Sequence, residues 1–334
     1  MDTFKALWVE ESGDGYTRSV VDRAMDSLPD SDVLIKVKYS SLNYKDALSA
    51  SGNKGVTRDY PHTPGIDAAG VVVESKSPAF KPNEEVIVIG YDLGMNTSGG
   101  LAQYISVPAK WIVSKPEAMS LRDAMCFGTA GFTAALCVDT LLQVGIAPSQ
   151  GPVLVTGASG GVGSIACWLL KNLKFEVHGL TGKLEDQDWF NAIGVETLIP
   201  RDELLGLGKR PMAKTRWAGA VDTVGGDILA NVLKVIQYGG SVACCGMAGG
   251  TDLHTSVFPF ILRGINLMGV DSVELPLEVK IDIWQQIARD WLFSDFADFT
   301  AHTLNEIGLE DTPQALEDIL AGRHKGRYLV KLPD

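Results

Sequence analysis

The stretch VLVTGASGGVG, residues 153–163, decides the fold of this chain. Residues 153–156 are a short apolar, β-branched run typical of a buried strand, and a glycine-rich turn follows it directly. Helical spacing then extends from Ile165 to Leu173. Ala158, Gly160 and Gly163 occupy the three glycine positions of G-x-G-x-x-G, with alanine in place of the first glycine.

This strand–turn–helix context is the one in which a glycine fingerprint binds a dinucleotide. Glycine at the second position lets backbone approach the pyrophosphate, and glycine at the third lets the helix pack closely. Free N–H groups at the start of the helix then point at the phosphates. The predicted cofactor-binding residues of the turn are Ala158, Ser159, Gly160, Gly161, Val162 and Gly163.

The end of the next predicted strand, 175–180, bears on the choice between NAD and NADP. An NAD enzyme usually has an acidic residue there for the ribose 2′-hydroxyl, but this chain has Thr181, Gly182 and Lys183. A hydroxyl, a flexible glycine and a cation suit a 2′-phosphate, and Arg201 follows the third strand. We therefore predict NADPH. The alternatives are that Lys183 is only the first solvated residue of a helix and that Arg201 is ordinary surface charge.

Strand and helix patterns alternate around this stretch, which predicts a doubly wound α/β Rossmann domain with a parallel sheet. Residues 1–124 instead contain short apolar runs punctuated by Gly and Pro, which predict a small β-barrel. A helix is expected from Leu121 to Val144 with Ser120 as its N-cap. The predicted domains are 1–124, joined by a returning C-terminal segment 275–334, and the Rossmann domain 125–274.

Composition excludes several classes of partner. The chain has 334 residues and a formal net charge of −12, so it repels nucleic-acid backbones. Its first residues lack the apolar core of a signal peptide, and no later window contains the roughly 18 apolar residues of a membrane helix. Five cysteines lie in apolar runs without a C-x-x-C pair, which indicates buried free thiols. We expect a cytoplasmic protein with no membrane partner.

The histidines and cysteines give no metal-site pattern. Catalytic zinc takes three ligands from Cys, His and carboxylate, but the five histidines are scattered and no cysteine lies near His62. His62 is expected to face solvent. No metal is predicted, and hydride donation to an electrophilic carbon is the chemistry expected without a Lewis acid.

Three motifs resemble the zinc-free quinone oxidoreductase branch of the medium-chain dehydrogenase/reductase superfamily: 41–48, 64–70 and 128–134. Zinc members carry a His–Glu pair where Ile66-Asp67 stands here. Further pieces resemble the bacterial subfamily that includes acryloyl-CoA reductase; they are 181–183, 200–203, 217–225, 238–240, 259–263 and 269–272. The resemblance implies a GroES-like barrel, a Rossmann sheet, a homodimer and NADPH-dependent reduction of an α,β-unsaturated acyl-CoA, acryloyl-CoA to propionyl-CoA.

The resemblance also implies roles for individual residues. Asn43 and Tyr44 would flank the nicotinamide as catalytic residues, with Tyr44 orienting the ring or donating a proton. Tyr44 could instead be a half-buried aromatic at a domain junction. Further cofactor contacts are implied for Tyr44, Thr133, Gly246, Val270 and Arg327.

Several charged and polar residues keep a second interpretation. The role of Thr133 could instead be limited to a hydrogen bond with the backbone. Arg323, Lys325 and Arg327 could bind CoA phosphates or the cofactor, or be ordinary surface charge. Lys45 and Asp46 could be a solvated pair. Two functional alternatives also stay open: a quinone reductase with the same cofactor, and a non-catalytic NADPH-binding protein.

Overall fold

The structure is a computed structural model that describes residues 3–13 and 15–333. It divides into a first unit, Met1–Thr129 with Ser272–Leu292 and Leu304–Asp334, and a second unit, Ala130–Asp271 with Phe293–Thr303. The strands are β1 Thr3–Ser12, β2 Gly15–Ala24, β3 Val33–Ser41, β4 Asp67–Ser75, β5 Glu85–Ile89, β6 Tyr104–Val107, β7 Ile112–Ser114, β8 Val153–Thr156, β9 Val177–Thr181, β10 Thr197–Pro200, β11 Trp217–Asp222, β12 Ile236–Cys244, β13 Asn266–Gly269, β14 Leu304–Gly308 and β15 Arg327–Lys331. The α-helices are α1 Tyr44–Ala50, α2 Leu121–Gln143, α3 Gly161–Asn172, α4 Gln187–Ala192, α5 Arg201–Leu205, α6 Gly226–Leu233, α7 Phe258–Arg263, α8 Leu277–Gln286, α9 Phe296–Thr303 and α10 Thr312–Leu320.

The first unit is built on a seven-stranded sheet in the order β14-β15-β3-β4-β5-β7, with β6 also paired to β3. Alternate residues of β3 point into its core, where Val33, Ile35 and Val37 are buried, as period-two patterning requires. The C-terminal strand β15 pairs antiparallel with β3, with Leu329 opposite Ser41. The C-terminal strand therefore joins the sheet of the first unit.

The second unit contains the predicted parallel sheet, in the order β10-β9-β8-β11-β12-β13. All four residues of β8 and all six of β11 are buried, which is typical of parallel strands covered on both faces. The strand order reverses between β8 and β11, so this is the doubly wound fold that the sequence predicted. In such sheets ligands bind at the carboxyl ends of the strands beside this reversal.

Helix α2 begins as predicted, with the Ser120 hydroxyl donating to the Asp123 carboxylate at 2.7 Å and the Asp123 N–H donating back to the hydroxyl at 3.1 Å. It bends at Gly128, whose φ is +50°. By length and composition α2 is apolar enough to cross a membrane, contrary to the sequence-based expectation that no such window exists. However, 72% of its most apolar window is buried inside the structure, as in a core helix.

Three features differ from the expectations or were not anticipated. The hairpin of β1 and β2 and the short helix α1 had no counterpart in the sequence-based prediction. The segment Phe293–Thr303 belongs to the second unit, whereas the predicted boundary placed all of 275–334 with the first domain. The physical reason is aromatic packing, since Phe299 stacks on Trp168 with ring centroids 4.7 Å apart.

His62 and the cysteines also correct the sequence-based view. His62 does not face solvent: it is buried, and its Nε2 lies 3.0 Å from the Gly94 carbonyl oxygen. All five cysteines are free thiols, as predicted, but only three are buried, while Cys244 and Cys245 are partly exposed.

Candidate active site

The glycine-rich turn leaves β8 with Gly157 at φ +61° and reaches the start of α3 at Gly161. The turn closes because the Gly160 N–H donates to the Gly157 carbonyl at 2.9 Å. A Cβ on Gly163 would lie 2.2 Å from the Gly157 oxygen and 2.9 Å from the Ala158 Cα. The helix therefore packs against its own turn so closely that only glycine fits at 163, which is the reason the sequence analysis gave for this position.

The first position of the fingerprint tolerates alanine because its methyl fills space beside the next strand. Ala158 is fully buried, and its Cβ would lie 3.1 Å from a Cβ on Gly179 of β9. The residue that must adopt a positive φ is the preceding one, Gly157. This glycine has the positive φ, and a Cβ there would meet the Thr223 hydroxyl at 2.4 Å.

A buried carboxylate ties the two strands on either side of the reversal. Asp222, at the end of β11, accepts a hydrogen bond from the Thr156 hydroxyl at 2.7 Å and from the Gly225 N–H at 2.8 Å. Burial raises the pKa of Asp222. The Thr223 N–H also donates to the Thr156 hydroxyl at 3.0 Å. Sequence reasoning missed this support, although polar residues ending two buried strands were its signal.

The residues predicted to bind a 2′-phosphate come together in the structure. Thr181 ends β9, and its hydroxyl accepts the Lys183 N–H at 3.0 Å. Arg201 begins α5 after the neighbouring strand β10, and its Nη2 lies 3.4 Å from the place a Cβ would take on Gly182. Within the described chain this exposed guanidinium makes no ion pair or hydrogen bond. An unpaired guanidinium over a glycine is an arrangement that can bind an anion.

The remaining predicted contacts of the second unit lie at two places. A Cβ on Gly246 would lie 2.0 Å from the Thr223 carbonyl oxygen, so the loop after β12 rests directly on backbone at the end of β11. Val270 follows β13, and its N–H donates to the Cys244 carbonyl at 2.9 Å. Both residues are thus at the carboxyl edge of the sheet. Thr133 is a buried residue of α2.

In the first unit, Asn43 and Tyr44 begin α1, as N-cap and first helical residue. The Asn43 Nδ2 donates to the Asp67 Oδ2 at 2.7 Å, and the Asn43 N–H donates to the Asp46 Oδ2 at 2.7 Å. Tyr44 is 47% exposed, and its hydroxyl has no hydrogen-bond partner in the part of the chain described. Its aromatic ring is therefore half-exposed, with a hydroxyl free for a ligand.

Asp46 and Asp67 are both fully buried, which corrects the interpretation of Asp46 as half of a solvated pair. Asp46 Oδ1 accepts the Ile66 N–H at 2.8 Å. Burial, together with the neighbouring Asp67 carboxylate, raises the pKa of Asp46 to about 7. Asp67 also accepts hydrogen bonds from the Ser41 hydroxyl at 2.5 Å and from the Thr129 N–H at 3.0 Å.

Arg327 is buried, so the interpretation of this residue as ordinary surface charge is wrong. Its Nη1 donates to the Leu42 carbonyl at 2.9 Å, and its Nη2 donates to the Ser41 hydroxyl at 2.7 Å. Nη2 also lies 3.6 Å from the Asp67 carboxylate. Its predicted cofactor contact would have to be made from this buried position. By contrast, Arg323 is exposed and pairs with Asp318 at 2.7 Å.

The chain is similar to several characterised families and proteins. The alcohol dehydrogenase GroES-like domain matches residues 29–117, and the zinc-binding dehydrogenase domain matches residues 161–291. The acrylyl-CoA reductase AcuI of Ruegeria pomeroyi is 43% identical over 329 residues, which are 98% of each chain. The quinone oxidoreductase of Sus scrofa is 29% identical over 72% of this chain and 71% of its own.

Two solved structures agree closely with this one. The yhdH oxidoreductase of Salmonella enterica in complex with NADP has a TM-score of 0.94 and 43% identity, covering 98% of this chain and 100% of its own. The yhfP protein of Bacillus subtilis with NAD bound has a TM-score of 0.94 and 44% identity, covering 99% and 100%. In residues 3–13 and 15–333 of this chain, no group of three or more His, Cys, Asp or Glu side chains could hold a metal ion.

Proposed function

Given that this chain belongs to the medium-chain dehydrogenase/reductase superfamily, in the group of bacterial reductases that contains AcuI, we propose that it reduces the C=C bond of an α,β-unsaturated acyl-CoA with NADPH. The name of the relative, acrylyl-CoA reductase AcuI, gives acrylyl-CoA as its substrate. Reduction of the C=C bond of this thioester gives propionyl-CoA. The reaction class is that of an NADPH-dependent oxidoreductase acting on a CH–CH group.

The observation that carries the choice of cofactor is the group at the ends of β9 and β10. It offers the Thr181 hydroxyl, the Gly182–Lys183 turn and the Arg201 guanidinium, and residues 181–183 contain no acid at the end of β9 to bind a ribose 2′-hydroxyl. The glycine turn after β8 supplies main-chain N–H groups for the pyrophosphate. These residues fit a dinucleotide with a 2′-phosphate.

The mechanism assigns cofactor binding and proton transfer to different residues. NADPH, when bound, supplies the hydride that is added to the β-carbon of the thioester. In the second unit, the turn 158–163 holds the pyrophosphate while Thr181, Lys183 and Arg201 hold the 2′-phosphate. The Tyr44 hydroxyl, which has no hydrogen-bond partner among the residues described, is the group proposed to orient the reacting groups or to donate the proton that the α-carbon receives. Thr133, Gly246, Val270 and Arg327 remain further predicted contacts of the cofactor.

The test uses acryloyl-CoA and NADPH that carries deuterium at C4. We expect propionyl-CoA with deuterium on its β-carbon, because the hydride moves directly. Product without deuterium there would rule out direct transfer. Turnover of 1,4-benzoquinone in place of acryloyl-CoA would favour the quinone reductase alternative, which the name of the Sus scrofa relative raises. Binding of NADPH without oxidation by any acceptor would favour the non-catalytic alternative.

We also infer a cytoplasmic homodimer. Strand β13 ends the six-stranded sheet, and the neighbouring helix α7 exposes Ile261 at 73% and Leu262 at 54%. Apolar residues this exposed beside a sheet edge are typical of an interface. Light scattering on the purified protein is expected to give twice the 35.8 kDa chain mass. Ile261→Asp is expected to shift it to the monomer mass, and a wild-type monomer would refute the inference.

A further inference from the structure

The carboxamide of Asn43 is held at both ends. Its Nδ2 donates to the Asp67 Oδ2 at 2.7 Å and to the Ser41 carbonyl at 3.3 Å. Its Oδ1 accepts a hydrogen bond from the Arg327 Nη1 at 3.1 Å. An amide offers two donors and one acceptor oxygen, so these contacts use most of its hydrogen-bonding capacity. Asn43 is therefore poorly placed to bind a substrate atom as well.

The groups that hold Asn43, directly or through Asp67, come from four separate segments. Asp46 lies in α1, Asp67 begins β4, Arg327 begins the C-terminal strand β15, and Thr129 follows the bend of α2. Thr129 donates both its N–H, at 3.0 Å, and its hydroxyl to the Asp67 carboxylate. Space around this cluster is closed, because a Cβ on Gly128 would lie 2.3 Å from the Ser41 hydroxyl and 2.5 Å from the Asp67 Oδ2.

Asp46 completes the cluster from the other side. Its Oδ2 accepts the Asn43 N–H, which fixes the backbone immediately before α1, and its Oδ1 accepts the Ile66 N–H, which ties α1 to the start of β4. The next residue after Asn43 is Tyr44, whose hydroxyl has no hydrogen-bond partner in residues 3–13 and 15–333. The backbone from which the Tyr44 side chain leaves is therefore held by this buried cluster.

We propose that Asp46, Asp67 and Arg327 form a positioning cluster that fixes Asn43 and thereby places the Tyr44 hydroxyl for the reaction. Asn43 is the link in this cluster and does not contact the substrate, which revises the catalytic role predicted for it. The proposal rests on the function proposed above. Burying two carboxylates with one guanidinium is costly unless each is well hydrogen-bonded. Here these buried groups hold the N-terminus of the short helix that carries the exposed Tyr44.

The cluster should respond to pH through Asp46. The charged and titratable groups that face it are Asp67 on β4 and Arg327 on β15, and Arg327 in turn faces Cys126 of α2. Burial and the Asp67 carboxylate raise the pKa of Asp46 to about 7. The ionised form is the better acceptor for the N–H groups of Asn43 and Ile66, so kcat is expected to rise as the pH rises through about 7.

The decisive experiment is a double-mutant cycle of Asp46→Asn and Tyr44→Phe, read as kcat for NADPH-dependent reduction. Asp46→Asn removes one of the two acceptor contacts and is expected to lower kcat about tenfold and to abolish the rise near pH 7. If Asp46 acts through the Tyr44 hydroxyl, adding Asp46→Asn to Tyr44→Phe lowers kcat by no more than about twofold. An equal, multiplicative loss in both backgrounds would overturn the proposal.

Two further measurements keep the result interpretable. Asp30→Asn is the matched control, because Asp30 is an exposed carboxylate that pairs with Lys76 on the surface, and the kcat of this variant is expected to be unchanged. If Asp46→Asn does not fold, Ser41→Ala replaces it, since Ser41 bridges Arg327 and Asp67. Acryloyl-CoA turnover by the wild type tests the proposed function. The coupling between Asp46→Asn and Tyr44→Phe, measured as kcat with acryloyl-CoA or 1,4-benzoquinone as acceptor, tests the positioning of Tyr44 separately.

Discussion

Replacing Gly163 with alanine tests the packing of the cofactor turn directly. The new Cβ would lie 2.2 Å from the Gly157 oxygen, 2.8 Å from its carbonyl carbon and 2.9 Å from the Ala158 Cα. All three atoms are backbone, so no side chain can move aside. A carbon and an oxygen without a bond between them need roughly 3.2 Å, and the turn or the helix must therefore shift by about 1 Å.

The expected effect follows from that shift. Overpacking of this size costs about 1–3 kcal/mol of folding stability, which should lower the melting temperature by several degrees. The N–H groups of the turn move by the same distance, and a displacement of about 1 Å in a positioned group can cost about 100-fold. We expect the Kd for NADPH, measured by fluorescence titration, to rise by about that factor.

Gly15→Ala is the matched control for this substitution. A Cβ there has no atom within 4 Å. The residue begins β2 and is not part of the cofactor turn, residues 157–163. Its melting temperature and Kd for NADPH should match those of the wild type. A Kd for NADPH equal to that of the wild type in Gly163→Ala would refute the reasoning. It would mean that the clash with three backbone atoms does not displace the N–H groups that bind the phosphates.

Three further predictions concern charge and burial. Lys183→Ala and Arg201→Ala should each raise the KM for NADPH about tenfold or more and that for NADH only slightly, since a hydrogen bond between charged groups contributes about 1.5–3 kcal/mol; equal effects in steady-state assays with both cofactors would refute the 2′-phosphate role. Because the folded-state pKa of Asp46 is raised to about 7, the stability linked to this group is greatest below pH 4 and falls as the pH rises towards 7. The melting temperature of Asp46→Asn relative to wild type should therefore increase between pH 5 and pH 8, and a constant difference would contradict the raised pKa. Burial raises the pKa of Cys126 to about 12 and that of Cys167 further, so neither thiol should react with iodoacetamide at pH 8 before the protein unfolds; early labelling of either, located by peptide mass spectrometry, would contradict this.

The cofactor half of the site could be predicted from the sequence because its physical demands are local. A buried strand, a glycine turn and a helix lie within residues 153–173. The glycine at 163 is explained by the close contact of the helix with its own turn. The position of Arg201 was predicted less securely, since it depends on two parallel strands lying side by side. The structure places it over Gly182 as that pairing requires.

The cluster around Asn43 could not be predicted in the same way, because its partners are far apart in the sequence. Asp67 meets Thr129 across 62 positions, and Ser41 meets Arg327 across 286. A buried Asp has the same local appearance as a solvated one, so the sequence left open a solvated pair of Lys45 and Asp46, which the burial of Asp46 excludes. The helix α1 was missed because seven residues give too little periodicity to separate it from a loop.

The closeness of Arg201 to Gly182 limits how this protein could exchange one dinucleotide for the other. The usual route to NADH specificity adds an acid at the end of the second strand, but an aspartate at 182 would begin 3.4 Å from the Arg201 guanidinium and would pair with it. That pairing would occupy the carboxylate needed for the ribose hydroxyl. A switch in coenzyme therefore requires two coordinated substitutions, one at each strand end: an acid at 182 to bind the ribose hydroxyl, and removal of the Arg201 guanidinium that would otherwise pair with it.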